Sequence, residues 1–420
     1  MSNLEELIEK LCPDGVEYVK LNTICSIYDG THSTPNYTDA GVKFASVENI
    51  NAPYDTKKFI ALEDYQKYKI KPQVDDVLMT RIGSIGVCYV IEDNQPLAYY
   101  VSLALLRPSS KKINSKYLKY VIESVHGKKE LRKRTLVNAV PIKINKDDIG
   151  KIKLPVPPLE VQREIVRILD NFTFLTAELA AELAARQKQY EYYRDLLLTF
   201  KSNENTILNE RTNELELSGA IRWMKLGELC DYVDYRGKTP KKVDQGIFLV
   251  TAKNVRMGFI DYEKSKEYIS KDDYLEVMRR GLPKIGDLLI TTEAPCGNVA
   301  LVDREDIALA QRIIKYRPKR ENVNRNFLKH YLLSKEFQDV LQKNATGGTV
   351  KGIKGSKLHE LNVPVPPLEV QQRIVDILDR FDTLCNDISS GLPAEIEMRQ
   401  KQYEYYRDKL LTFKELKKEA

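Results

Sequence analysis

Residues 155–170, PVPPLEVQREIVRILD, return almost unchanged at 364–379 as PVPPLEVQQRIVDILD, 209 residues later. A second block, RQKQYEYYRD, stands at 186–195 and again at 399–408, 213 residues apart, so the second copy carries four extra residues between the blocks. Repetition at this level marks an internal duplication, and such repeats organise the whole fold. The residues after each proline pair follow a helical period. Pro158 suits the first position of a helix, and Glu160 suits the positive end of its dipole. Val161, Ile165, Ile168, Phe172, Leu175, Leu179 and Leu183 then recur at steps of three and four, and Tyr190, Tyr193, Leu197 and Phe200 continue the phase. The stripe is narrow, as in a coiled-coil seam, and about forty residues at 1.5 Å each give a rod of roughly 60 Å. The second copy repeats the seam with Val370, Ile374, Ile377, Phe381, Leu384 and Ile388. Gly391 and Pro393 then predict a break or kink, and four extra residues are about one turn, which returns the seam to its face. Neither stripe is wide enough for a stand-alone globule, so the two helices are expected to pair. Their direction is not given by the sequence; a pseudo-two-fold duplication favours an antiparallel pair.

Fainter matches precede each repeat. YVKLNTICSIYDGTHSTP at 18–35 aligns with WMKLGELCDYVDYRGKTP at 223–240, DDVLMTRIGSIG at 75–86 with GDLLITTEAPCG at 286–297, and YLKYVIES at 117–124 with FLKHYLLS at 327–334. The chain therefore alternates variable and near-identical units, which implies two different tasks for the former and one shared task for the latter. Residues 16–154 and 221–363 mix short β-rich runs with turn signals and one or two helices, so each reads as a small α+β domain with a curved sheet.

The chain has 420 residues, 42% of them hydrophobic and 30% charged, with a net charge of +6, a balance compatible with a nucleic-acid partner. Basic residues gather late in each variable unit. Lys128, Lys129, Arg132, Lys133 and Arg134 lie together in the first; Arg312 and the 312–320 run, then Lys351, Lys354 and Lys357 among glycines, do so in the second. A solvated face explains any one such run. Similar runs late in both units favour phosphate contact. The start, MSNLEELIEKLCPDG, is charged and lacks the apolar core of a signal peptide, so a cytoplasmic protein is expected.

Catalytic motifs are not evident. The six cysteines and four histidines are scattered without metal-ligand spacing, so no metal site is expected. RGKTP at 236–240 has the end of a phosphate-binding loop, but Tyr232 stands where its first glycine belongs and a proline follows the threonine. PVPPLE lacks the Asn or Asp and the aromatic residue of an amino-methyltransferase loop. The chain reads as an organiser and not as a catalyst, with a coiled-coil scaffold bearing two protein-binding domains as the competing reading.

In its order of variable unit, PVPPLEVQ…QKQYEYYRD block, variable unit and second block, the chain resembles the specificity subunit of type I restriction-modification systems over nearly its whole length. The resemblance implies an α+β fold: two small target-recognition domains with curved β-sheets, separated by two long helices forming an antiparallel coiled coil with pseudo-two-fold symmetry. Expected boundaries are 1–154 for the first recognition domain, 155–201 for the first spacer helix and 202–220 for a linker. The second domain then takes 221–363, the second helix 364–414, and a charged tail 415–420. It implies that each domain reads half of a split double-stranded DNA target and that the chain itself carries no cofactor. Two methyltransferase subunits would supply S-adenosylmethionine, and two restriction subunits ATP and Mg²⁺. Expected base-edge contacts are Thr31, His32, Ser33, Arg81 and Ser84 in the first domain and Arg236, Lys238, Thr292 and Thr349 in the second, with Lys241 a further DNA-binding candidate. His32 reads equally as a turn residue packed on Tyr28 or Tyr37, and Arg81, just after a predicted strand, reads more readily as a structural or phosphate-contacting residue than as a base reader. In the repeated phrase, Tyr190 with Tyr193 and Tyr403 with Tyr406 share the seam face. Tyr192, Tyr405, Gln162 and Gln371 are left as candidates for a surface shown twice to two copies of one partner.

Overall fold

The computed structural model describes residues 2–200, 221–235, 240–347, 350–387 and 390–416. Its contacts divide the chain into two units, Met1–Ala180 with Glu395–Ala420, and Ala181–Ala394. Each unit thus combines one variable domain with the start of one repeated helix and the end of the other.

In the first unit, an antiparallel sheet runs Cys25–Asp29, Leu103–Pro108, Val77–Thr80, Cys88–Val90. A second sheet runs Tyr37–Thr38, Phe59–Ile60, Val42–Ala45, Leu97–Tyr99, its last pair parallel. The second unit repeats this order strand for strand. Cys230–Asp234, Ile313–Pro318, Leu288–Thr292 and Cys296–Leu301 form one sheet; Lys242–Val243, Tyr268–Ile269, Ile247–Val250 and Ile307–Leu309 form the other, again with a parallel last pair. The strands Val77–Thr80 and Leu288–Thr292 are buried along their whole length, which is why they read as apolar runs without alternation. The carboxylate before each is buried too. Asp76 takes a two-pronged pair from Arg107 at 2.9 and 2.7 Å, and Asp287 from Arg317 at 2.6 and 2.7 Å. Each also accepts a loop N–H, from Gln73 at 2.9 Å and Lys284 at 2.8 Å, so neither charge is stranded.

The first repeated helix is Leu159–Leu198, 40 residues. The second is interrupted, Leu368–Asn386 then Leu392–Leu410, with Gly391 N–H bonded to Asp387 O at 2.9 Å. A Cβ on Gly391 would lie 2.5 Å from Thr383 O, so only glycine passes there. Ile388 of the expected seam lies outside the described residues. Within the first unit, Phe172 stacks on Tyr406 at 5.4 Å while Ile168 and Leu410 share the core and Ala180 neighbours Gln400. The helices therefore run antiparallel. In the second unit Phe381 lies between Tyr190 and Tyr193, at 6.3 and 5.7 Å, again with the start of one helix against the end of the other. Leu175 departs from the expected seam: it is exposed, and Thr176 takes the inward position.

Gln162 and Gln371 correct an expectation. Both side chains are 0% exposed and cannot meet a partner. Gln162 accepts from the Asn114 N–H at 2.8 Å and donates to Lys112 O at 3.0 Å and Pro157 O at 2.7 Å. Gln371 makes the same three bonds to Asn324 N–H, Asn322 O and Pro366 O at 2.8, 3.0 and 2.8 Å. Each amide joins the variable domain to its helix entry and satisfies three buried backbone groups at once.

Candidate nucleic-acid interface

One loop arrangement is built twice. In the first unit the residue after the buried central strand, Arg81, receives a hydrogen bond on its carbonyl from the Ile144 N–H at 3.0 Å. Its own N–H donates to Ser102 O at 2.9 Å. In the second unit Thr292 does the same, with Ile353 at 2.9 Å and Arg312 at 2.8 Å. These ladders seat a late loop beside the strand end: residues 136–143 in the first unit, closed by Leu136 N–H to Lys143 O at 2.8 Å, and 346–352 in the second, closed by Thr346 and Gly352. The frame is shared, but the side chains on it differ at almost every position.

In the first domain Thr31 is held by backbone bonds to Tyr99 and Val101, and His32, Ser33 and Ser84 are exposed, the last on the turn whose Gly83 N–H bonds Ile142 O at 2.9 Å. No ring contact of His32 with Tyr28 or Tyr37 occurs among the described residues. Arg81 is buried; its guanidinium pairs with Asp29 and donates to Ile144 O at 3.2 Å, so it braces the loops from behind. The structure gives Arg81 the structural alternative. In the second domain Thr292 is likewise buried, whereas Arg312 is half-exposed at a φ of 70°, 3.4 Å from Glu293. Lys241, Lys351, Lys354 and Lys357 are exposed. Arg236, Lys238 and Thr349 lie outside the described residues.

The basic runs separate into two kinds. Lys128, Lys129 and Arg132 are exposed without an ion-pair partner among the described residues. Lys133 and Arg134 instead hold the buried Glu130, at 2.5 and 3.0 Å. Burial pushes the Glu130 carboxyl up, but Lys133, the Lys153 N–H and Arg134 outweigh it and keep it below the usual range. Within the 312–320 run, Lys315 and Arg317 are corrected as phosphate-facing residues: they lie two apart on the strand Ile313–Pro318, on the side that meets Asp287, whereas Arg312, Lys319 and Arg320 beyond its ends are exposed. Lys315 is buried 3.5 Å from Asp287, and Arg317 is bound to the same carboxylate.

The repeated phrase has an internal task. Asp408 accepts from the Val125 N–H at 2.9 Å and Asp195 from the Lys335 N–H at 3.0 Å, in each case the first residue of a domain helix capped by a serine, Ser124 or Ser334. A carboxylate there satisfies an orphan donor and complements the helix dipole. Arg194 and Arg407 lie over the rings of Tyr190 and Tyr403, at 5.7 and 5.6 Å. Tyr192 and Tyr405 remain 63% and 62% exposed. Between Tyr190 and Asp379 sits His330, fully buried, with Nδ1 3.2 Å from the tyrosine hydroxyl and Nε2 2.7 Å from the carboxylate. Asp379 only accepts, so Nε2 carries the proton and Nδ1 accepts from Tyr190. Asp379, Asp382 and His330 are the one group of metal-ligand type among the described residues. Their atoms are already bonded to one another and to Lys329, 2.8 Å from Asp382. Burial pushes the Cys25 and Cys230 thiols up to about 12, which leaves neither as a nucleophile.

A pair of matching domains on repeated helices, with one loop frame and two sets of exposed side chains, defines a duplicated recognition scaffold. The comparisons with known proteins name its class. The family model for the type I restriction modification DNA specificity domain matches residues 13–186 and 221–398. The chain belongs to this family and carries two copies of its domain, which sets aside the scaffold reading without a DNA role. A type I restriction enzyme specificity subunit of Escherichia coli is 38% identical over 277 residues, 63% of each chain. A putative specificity subunit of Haemophilus influenzae is 33% identical over 315 residues, 70% of this chain and 75% of its own. The match thus spans a little under two thirds of the Escherichia coli relative. Among solved structures, a chain from a type I restriction-modification system covers 96% of this one with a TM-score of 0.57 at 16% identity. At that identity the likeness shows the fold. Among the described residues no helix is long and apolar enough to cross a membrane.

Proposed function

We propose that this chain is the non-catalytic, DNA-reading subunit of a type I modification complex. Each domain reads one half of a split target, and the paired helices set the gap between the halves. Two methyltransferase subunits bind the surfaces repeated around Tyr192 and Tyr405, bringing S-adenosylmethionine and the transfer chemistry. Restriction subunits with ATP and Mg²⁺ complete the assembly. One observation carries this reading. The same backbone frame, built on buried Arg81 in one domain and buried Thr292 in the other, carries exposed Leu136, Val137 and Asn138 in the first and exposed Arg312, Val350 and Lys351 in the second. A scaffold held constant while its presented side chains change is what two different sequences read by one geometry require.

Exposed Lys128, Lys129, Arg132, Lys351, Lys354 and Lys357 supply the phosphate contacts, so binding falls with salt. The adenine to be modified leaves the stack for the partner's pocket. The test is co-expression with methyltransferase subunits, followed by sequencing that detects N6-methyladenine. A two-part motif with an untouched spacer supports the reading. A continuous motif, or S-adenosylmethionine binding by the chain alone, refutes it.

A further inference from the structure

The loop 136–143 is apolar and exposed, although backbone bonds hold it at both ends. Leu136 and Val137 are 44% and 61% exposed, Ile142 is 39% exposed, and Val140 is fully so at 100%. Leu136 N–H bonds Lys143 O at 2.8 Å, Gly83 N–H bonds Ile142 O at 2.9 Å, and Ala139 N–H bonds Leu136 O at 3.2 Å. The loop is therefore a formed ridge with four large apolar side chains turned to water, an arrangement that marks a binding surface. Its surroundings are cationic: residues 126–148 hold seven Lys and Arg against three Asp and Glu, and with Glu130, Lys133 and Arg134 paired to one another, five cations remain against two carboxylates. An apolar ridge among cations suits a polyanion that offers apolar groups between its charges. In the major groove of duplex DNA the one such group is the C5-methyl of thymine. Asn138, exposed on the same loop, has the amide that pairs with adenine. The matching loop of the second domain shows Val350 as its single exposed large apolar residue among those described.

We propose that residues 136–143 read A·T pairs in the half-site of the first domain by packing Val137 and Val140 against thymine methyls. This rests on the reading of each domain as a half-site reader. The experiment uses the assembled complex and its own methylation motif, with the half belonging to the first domain assigned by exchanging residues 16–154. Duplexes carrying deoxyuridine for thymidine, which removes only the methyl, are compared by competition binding. Each contacted methyl removed from the first half-site weakens binding about fourfold, the effect of one buried methylene-sized group. The double variant Val137→Ser with Val140→Ser binds both duplexes alike, still assembles with the methyltransferase and keeps its melting temperature, since both side chains are exposed. Equal binding of thymidine and deoxyuridine duplexes by the native complex overturns the proposal, as does a first half-site without A·T pairs. A double variant that loses the methyltransferase while keeping the methyl effect overturns it in favour of a protein contact. A split motif without methyl sensitivity sinks this inference alone, whereas the lack of any split motif sinks the half-site reading as well.

Discussion

Replacing Gln162 by leucine keeps the volume and removes the amide. Three backbone groups then lose their partners: the Asn114 N–H, Lys112 O and Pro157 O, held at 2.8, 3.0 and 2.7 Å around a side chain with no exposure. A buried donor or acceptor left without a partner costs about 1–3 kcal/mol, and a carbonyl at the lower end of that range, so the expected loss is about 3–5 kcal/mol. Gln162→Glu costs more, because it keeps the acceptor for Asn114 but sets a carboxylate against two carbonyl oxygens. Unfolding of a chain with two units is not a single two-state event, so the reading is local. Amide exchange of the full chain should speed up at the 112–118 segment and the helix entry by roughly two to four orders of magnitude in Gln162→Leu. Gln371→Leu should do the same at 322–328 and leave 112–118 protected. A loss under about 1 kcal/mol in both variants would refute the claim that these amides join domain to helix.

Four further outcomes follow from the same geometry. Asp195→Ala and Asp408→Ala should each cost about 1 kcal/mol and loosen the helices Lys335–Asn344 and Val125–Arg132 respectively, with Asn at either position retaining most of the stability; amide exchange reads this. Burial pushes the His330 pKa down despite the bond to Asp379, so the unfolded chain binds the extra proton; stability of the second unit is full above pH ~6.5 and declines below it. Thermal melts from pH 7.5 to 5.5 should show that decline, and His330→Tyr, which installs the residue type of Tyr120 where it bonds Asp170 at 2.6 Å, should flatten it. Arg81→Ala should cost about 2–3 kcal/mol by stranding the quarter-exposed Asp29, with Arg81→Lys a poor rescue because one ammonium cannot serve both Asp29 and Ile144 O; amide exchange at Ile144 and Ser102 checks it. Four residues added near Ala184 extend a helix by about 6 Å, and methylation mapping should show a longer gap between the half-sites.

The duplication made the helices legible, because their seam is local and periodic and two copies agree. The strand order was less so. It was visible only as short β-rich runs, since the pairing of Val77–Thr80 with Leu103–Pro108 depends on contacts distant in sequence. Among candidate residues, position in a run misled. Lys315 and Arg317 looked like part of a cationic surface, yet strand alternation and Asp287 draw them inward. Gln162 and Gln371, repeated and polar, read as a partner surface, and their complete burial overturns that. Repetition alone does not say whether the shared contact is with a partner or with the chain itself. The apolar loop 136–143 carries no periodic or motif signal in the sequence; its significance lies in exposure, which only the fold reveals.

The central claim is that each domain reads its own half of the target. Its most direct test exchanges residues 16–154 for the corresponding domain of another family member and maps N6-methyladenine in cells that also express the methyltransferase subunits. The account predicts a motif in which one half changes while the other half and the spacer length stay as in the parent. A change in both halves, or an unchanged motif, would contradict it.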